Sequence, residues 1–211
     1  MAGGGHRGRA GGMTAQPDPL VPLAVLAVIG VAFSARTLWV RRAIGRSPVV
    51  FGGADDAHDL LGRVFRLIIA AVFVWFVARV AWTKLDGFAG AIAWLQYSAI
   101  AWSGAAVMGL GAVLIVAAQI QMGASWRIGV DQERTGLVTR GLFGVSRNPV
   151  FLGMVLVLVG GFFVAPSAVT TGLLGAGWVA FSTQIRLEEA QLEALHGEAY
   201  TDYRAKVRRW I

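Results

Sequence analysis

Cysteine is absent from this chain of 211 residues. Its absence removes disulfides, thiolate metal sites and a cysteine nucleophile. Histidine is rare and scattered. His6, His58 and His196 lie far apart, and no His-x-x-His or His-Glu-x-x-His spacing occurs, so no metal centre is expected. No strand-like run leads into a Gly-x-Gly turn, which excludes a soluble Rossmann-type nucleotide site. Charge is scarce too. Charged residues make up 15% of the chain, against about 25% in a typical soluble domain. Residues 87–126 and 148–185 carry no charge at all.

In place of charge there is hydrophobicity, 56% of residues and concentrated in long runs, which marks an all-α integral membrane protein. The formal net charge of +7 does not pattern one soluble face. Its arginines flank the apolar runs, where they orient a membrane protein, so no nucleic-acid partner is expected.

In chain order, residues 1–18 are Gly-rich, include His6, Arg7 and Arg9, and are expected to be disordered; Met13 is an alternative start. No small-x-small cleavage site follows the first apolar run before Arg36, which argues against a secretory signal. Residues 20–40 form the first crossing, about 31 Å long as a helix. Arg36 lies near enough to Arg41 and Arg42 to snorkel. An arginine-rich loop follows (Arg41, Arg42, Arg46, Arg63, Arg66), with Asp55, Asp56 and Asp59 interspersed. The second crossing is 64–82, with Arg79 snorkelling at its far end.

The charge-free stretch 87–126 supplies one crossing, at 93–119. The loop after it holds Arg127, Arg134, Arg140 and Arg147, so it shares the cytoplasmic side with the earlier arginine-rich loop. Gly104, Ala105, Gly109 and Ala112 in this crossing suit close helix packing. Residues 148–185 would be about 57 Å long as one helix, too long for one span. Ala165-Pro166-Ser167 breaks them into a hairpin, 150–164 and 168–185. The sum is five transmembrane helices, with the N-terminus outside and the C-terminus in the cytoplasm, in a membrane of the bacterial inner type. The tail, 186–211, has a helical apolar spacing broken at Gly197 and is expected to lie on the cytoplasmic interface.

The hairpin gives the sequence a focus. Arg147 precedes its first arm and Arg186 follows its second, so both must lie at one mouth, with Arg140, Glu188 and Glu189 nearby. A plain Arg–Glu tie between the two arms and a binding site both satisfy that spacing.

At this point the residues resemble a family. Arg147-Asn148-Pro149-Val150-Phe151-Leu152-Gly153 is similar to the Arg-His-Pro-x-Tyr-x-Gly signature of isoprenylcysteine carboxyl methyltransferases and related membrane methyltransferases. Leu137-Val138-Thr139-x-Gly141 precedes it at the family's distance. Glu188-Glu189-x-x-Leu192 and Gly197-Glu198-x-Tyr200-x-x-Tyr203-x-x-x-Val207 follow the family's C-terminal pattern. The resemblance spans about residues 121–207 and makes 121–211 the catalytic half, with 19–120 holding the first three crossings. Asn148 stands where the family has His, Phe151 where it has Tyr, and Trp210-Ile211 where it has Ile-Pro.

The resemblance implies S-adenosylmethionine bound between this loop and the C-terminal segment, and a lipidic or small hydrophobic acceptor arriving from the bilayer. It implies cofactor contacts from the backbone of Leu137, Val138 and Thr139, from Asn148 and Phe151, from Glu188 or Glu189, and from Tyr200. Within that reading Arg147 and Arg186 orient an anionic acceptor head while Glu189 holds the cofactor. A carboxylate acceptor needs no base, whereas an amine or thiol would need Glu188 or Glu189 to take its proton. A membrane reductase of sterol or steroid type using NADPH is an alternative, with Arg204, Lys206, Arg208 and Arg209 available for a phosphate. A non-catalytic scaffold or small transporter is another, although no internal repeat is present.

Overall fold

The computed structural model describes residues 16–45, 49–50, 57–82, 84–123, 128–129 and 136–211. Most of the 1–18 segment, Met13 included, lies outside the described residues, as do Arg46, Asp55, Asp56, Arg127 and Arg134 and the side chains of His58 and Asp59. The chain is an all-helical integral membrane protein. Its helices are α1 (Leu20–Ile44), α2 (Ala57–Ala81), α3 (Leu85–Phe88), α4 (Ser98–Met122), α5 (Pro149–Val164), α6 (Ala168–His196) and α7 (Glu198–Lys206). Three of them, at Leu20–Ala43, Leu60–Ala81 and Ser98–Met122, are long and apolar enough to cross a bilayer. The shorter α5 is also apolar and folds back through Ala165-Pro166-Ser167 into α6, forming the expected hairpin.

Two short strands, β1 (Val49–Val50) and β2 (Ile128–Gly129), pair in parallel. This pairing brings the loop after α1 and the loop after α4 to the same end of the molecule. The two arginine-rich loops therefore share one side.

Several boundaries differ from the expectation for physical reasons. The second helix begins at Ala57, before the apolar run, because residues 57–63 contain no proline and a single glycine, Gly62, does not stop it. The third begins at Ser98, since Ala93–Leu95 form a 3-10 turn. The last arm does not stop at Ile185. Helix α6 runs on through Arg186 to His196 and ends only at Gly197, whose φ of 55° lies in the left-handed region. Only α7 and the chain end turn away, so the tail is not one separate surface helix. Neither arginine inside a crossing merely snorkels. Arg36 donates to the Gly123 carbonyl at the end of α4 and sits 4.3 Å from the Trp39 ring centroid. Arg79 forms a bidentate pair with Asp86 at 2.8 and 2.9 Å.

The tightest packing joins α4 to α5. A Cβ placed on Gly104 would lie 2.7 Å from the Gly160 carbonyl oxygen, and one on Gly111 would lie 2.6 Å from that of Gly153. The helices run antiparallel with backbones in contact, an arrangement only glycine permits. Gly104 belongs to this seam as expected, whereas Gly109 faces open space. Met108, Ile115, Val157 and Val164 fill the core beside it, with Trp75 and Phe76 of α2. The seam fixes the start of α5, and therefore the Arg147-Asn148-Pro149 corner, against the end of α4.

Candidate active site

Pro149 opens α5 at a position where a missing N–H costs nothing. That start aims the preceding Arg147 and Asn148 at the open end of the hairpin, opposite its turn. There Arg147 is held on every side. Its backbone N–H donates to Arg208 O at 3.0 Å, and its Nη1 donates to Val207 O at 2.8 Å and to Arg204 O at 3.1 Å. These are carbonyls at and beyond the C-terminal end of α7, where a cation is favoured. Its Nε and Nη2 grip one oxygen of Glu189, at 3.2 and 2.8 Å. The other Glu189 oxygen accepts from Arg209 Nη2 at 2.7 Å and Nε at 3.2 Å.

One buried carboxylate thus serves two guanidinium groups. Burial pushes the Glu189 carboxyl up, but hydrogen bonds from Arg209 and Arg147, together with their charges, hold it below the usual carboxylate range. The same bonds raise Arg209. The sequence-level Arg–Glu pairing across the hairpin mouth is therefore real. It also captures the chain end: Asn148 Nδ2 donates to Arg209 O at 3.2 Å, and Tyr203 Oη donates to Phe143 O at 2.6 Å.

Beside this network lies a cavity of about 100 Å3, lined by Met122, Gly136, Leu137, Val138, Phe143, Arg147, Asn148, Glu188, Glu189, Leu192, Tyr200 and Tyr203. Two of its polar groups, Tyr200 and Glu188, are strongly desolvated. Tyr200 is 1% exposed, yet its hydroxyl has no hydrogen-bond partner among the described residues. Burial and the neighbouring Glu189 charge push that phenol up to about 12. Glu188 is desolvated, which raises its carboxyl to about 7 despite a 2.8 Å hydrogen bond from Gln184 Nε2. Gln184 is itself buried with its Oε1 unpaired. Buried polar atoms without partners are uncommon, and one on the cavity wall, at Tyr200, with a second at Gln184 behind Glu188, points to a ligand.

Among the residues singled out from the sequence, Leu137, Val138, Arg147, Asn148, Glu188, Glu189 and Tyr200 all border this cavity. Three do not. Thr139 is exposed beside it. Phe151 packs against Phe65 and Phe181, at centroid distances of 6.3 and 6.0 Å, so its missing hydroxyl is replaced by an aromatic cluster. Arg186 is exposed and donates back to Ser182 O of its own helix at 3.0 Å. Its position after the hairpin put it at the right end, but α6 continues as a helix and turns that side chain outward. Phe143 and Met122 were missed, and Arg209 was named only as a possible phosphate contact. No spacing marks them; they arrive because the chain end folds back after Gly197 and because α4 ends where α5 begins.

A donor set of this kind suits an adenosyl group. Leu137, Val138, Leu192 and Met122 offer apolar walls for a purine, and Glu188 and Tyr200 offer polar groups for hydroxyl and amino partners.

Comparison with known proteins agrees with the motifs. Residues 99–199 match the phospholipid methyltransferase family. Protein-S-isoprenylcysteine O-methyltransferase of Schizosaccharomyces pombe is 33% identical over 102 residues, covering 46% of this chain and 43% of that protein. The chain thus aligns with under half the length of that relative. The solved structure of the eukaryotic intramembrane Ras methyltransferase ICMT (isoprenylcysteine carboxyl methyltransferase) superposes with a TM-score of 0.60 at 20% identity, covering 92% of this chain and 68% of that one. The fold is shared, and the family resemblance read from the motifs is borne out.

Proposed function

We propose that this protein is an S-adenosylmethionine-dependent membrane methyltransferase acting on a lipidic or small hydrophobic acceptor. The observation that carries the reading is the cavity at the open end of the hairpin, where the Tyr200 hydroxyl meets no partner among the described residues and stands with the desolvated Glu188 on the lining. The match of residues 99–199 to phospholipid methyltransferases supports it, as does the isoprenylcysteine methyltransferase relative.

When bound, S-adenosylmethionine supplies a methyl group on an already activated sulfonium. The protein's task is then alignment and exclusion of water. Leu137, Val138 and Leu192 would hold the adenine, together with the backbone of 137–139. Tyr200 and Glu188 take polar groups of the nucleoside. Asn148 stays at the rim, anchored to the chain end. Arg147 acts through Glu189, fixing its carboxylate and tying the first arm of the hairpin to the second. Phe143 and Tyr203 close the cavity from the loop and from α7. For a carboxylate acceptor no base is needed. For an amine or thiol, Glu188 is the group whose raised pKa of about 7 suits taking a proton near neutrality.

The five-span arrangement completes this reading, with α5 and the first half of α6 as the fourth and fifth crossings. The N-terminus lies outside and the site faces the cytoplasm, as the arginine-rich loops on one side favour. Residues 19–120 form the wall, and residues 121–211 carry the chemistry. The reductase alternative asks for basic side chains on the cavity. Of the four named for it, Arg204 pairs with Glu193 at 2.8 Å, Lys206 and Arg208 are exposed away from the lining, and Arg209 gives its Nε and Nη2 to Glu189.

The test is equilibrium binding of radiolabelled S-adenosylmethionine and of NADPH to the purified full chain in detergent, followed by methyl transfer to a prenylated carboxylate. Saturable binding of the first, lost in Tyr200→Phe and Glu188→Gln together, is the expected result. Binding of NADPH instead, or of neither, rules the reading out.

A further inference from the structure

An acceptor with an anionic head needs a cation to orient it, and neither arginine suggested by the hairpin supplies one. Arg147 is 9% exposed, and its Nε, Nη1 and Nη2 are all engaged. Arg186 faces away from the cavity, bonded to its own helix. We propose that Arg209 is the specificity-determining residue that positions the anionic head of the acceptor, with the stacked Trp178 and Trp210 rings as the adjoining surface for its apolar chain. This inference rests on the methyltransferase reading.

Arg209 differs from Arg147 in having donors to spare. Its Nε and Nη2 bind Glu189, while Nη1 meets no acceptor among the described residues, and the side chain is 38% exposed. Its backbone is not loose. The Arg209 carbonyl accepts from Asn148 Nδ2 at 3.2 Å and from Ser146 Oγ at 3.4 Å. The residue is therefore pinned at the cavity rim between two lining residues, Asn148 and Glu189, with the outer edge of its guanidinium turned away from both. A planar, oriented guanidinium edge is suited to a carboxylate or phosphate.

The next residue defines what lies beside that edge. Trp210 stacks on Trp178 with ring centroids 5.2 Å apart and planes at 19°. Trp178 belongs to the apolar part of α6 and is 48% exposed, so it faces the lipid side of the hairpin. The chain thus passes directly from a cation tied to Glu189 to a flat aromatic surface on the lipid-facing part of α6, the order that an amphiphile with an anionic head requires. The Trp210-Ile211 ending, in place of the family's Ile-Pro, is what creates the aromatic half of this pair.

The test measures binding to the purified full chain in neutral lipid nanodiscs. The probes are a prenylcysteine carboxylate against its carboxamide, and a prenyl monophosphate against the free prenol. S-adenosylmethionine binding is measured in parallel. The wild-type chain is expected to bind at least one anionic probe about tenfold more tightly than its neutral partner. The anion that shows the preference identifies the head group. Arg209→Gln is expected to abolish the preference, Arg209→Lys to restore part of it, and S-adenosylmethionine binding to change less than about threefold in both. A preference that survives in Arg209→Gln, or is absent from the wild type, overturns the assignment. So does a joint loss of nucleoside binding and preference in both variants, which would make Arg209 only a support for Glu189. If the wild type keeps its anion preference but never binds S-adenosylmethionine, the methyltransferase reading falls and the Arg209 site stands.

Discussion

The two ends of the α5–α6 hairpin are both polar, and they handle their polar groups in opposite ways. At the turn, Ser167 caps α6 in a reciprocal box with Thr170, and Thr170 Oγ1 also donates to Ala165 O at 2.8 Å. Ala168 N–H reaches Gly90 O at 3.0 Å, and Pro166 O accepts from Ile92 at 2.9 Å. None of these turn residues leaves a buried side-chain atom unpaired. At the open end the ionic network is equally complete, but Tyr200, Glu188 and Gln184 beside it are left with capacity that the protein does not fill. A closed set of bonds holds a hairpin together. An open set, next to a cavity, waits for a ligand.

The comparison can be broken most forcefully at Glu189. Removing it in Glu189→Ala leaves the Arg147 guanidinium buried without a carboxylate, a loss of about 3–5 kcal/mol. Denaturant titration in mixed micelles should show it, with S-adenosylmethionine binding lost as well. A stable variant that still binds would mean the ion network is ornamental. Next in size is Gly160→Leu, which forces a side chain into the backbone of α4 and should cost about 1–3 kcal/mol or more by the same titration. Because the seam sets the start of α5, nucleoside affinity should fall with it.

Tyr200→Phe separates the two ends most cleanly. The hydroxyl has no partner among the described residues, so thermal stability should hold or rise slightly. Nucleoside affinity should drop by about tenfold, or roughly 1.4 kcal/mol. Ser167→Ala predicts the reverse pattern: a loss of about 1 kcal/mol from the missing cap, with no change in binding.

A different kind of effect is a pH slope. Glu188 is raised from 4.5 to about 7 in the folded chain, so the folded state holds more protons than the unfolded one between those values. The contribution of Glu188 to stability is full below pH 4.5 and is lost as pH rises to about 7. Glu188→Gln should flatten that slope in a thermal-shift series from pH 4.5 to 8. An unchanged slope would show that Glu188 does not titrate there.

Much of this architecture was legible in the chain. Charge-free runs of helical length mark the crossings, and Pro166 marks the hairpin. Arg147 before one arm and Glu189 after the other could only meet at its mouth. The motif residues Leu137, Val138, Asn148 and Tyr200, which the family resemblance implied for the site, border the cavity. The errors have a common origin. Arg186 and Glu189 are three residues apart, and which of them faces Arg147 depends on the phase of a helix that continues past Ile185. Phe151 looked like a cofactor contact but meets Phe65, a residue of α2 far away in sequence.

The sequence by itself determined that the protein lives in a membrane, that its chain doubles back at Pro166, and that opposite charges gather where the arms open. These follow from hydrophobicity and chain connectivity, which are local properties. Only the tertiary structure decided that Glu189 is shared by two arginines, that Arg209 returns from the chain end to be the second, and that Tyr200 is buried with nothing to bond. Those outcomes depend on rotation about helix axes and on where α7 docks, and neither is fixed until glycine-tight packing of α4 against α5 sets every element in place.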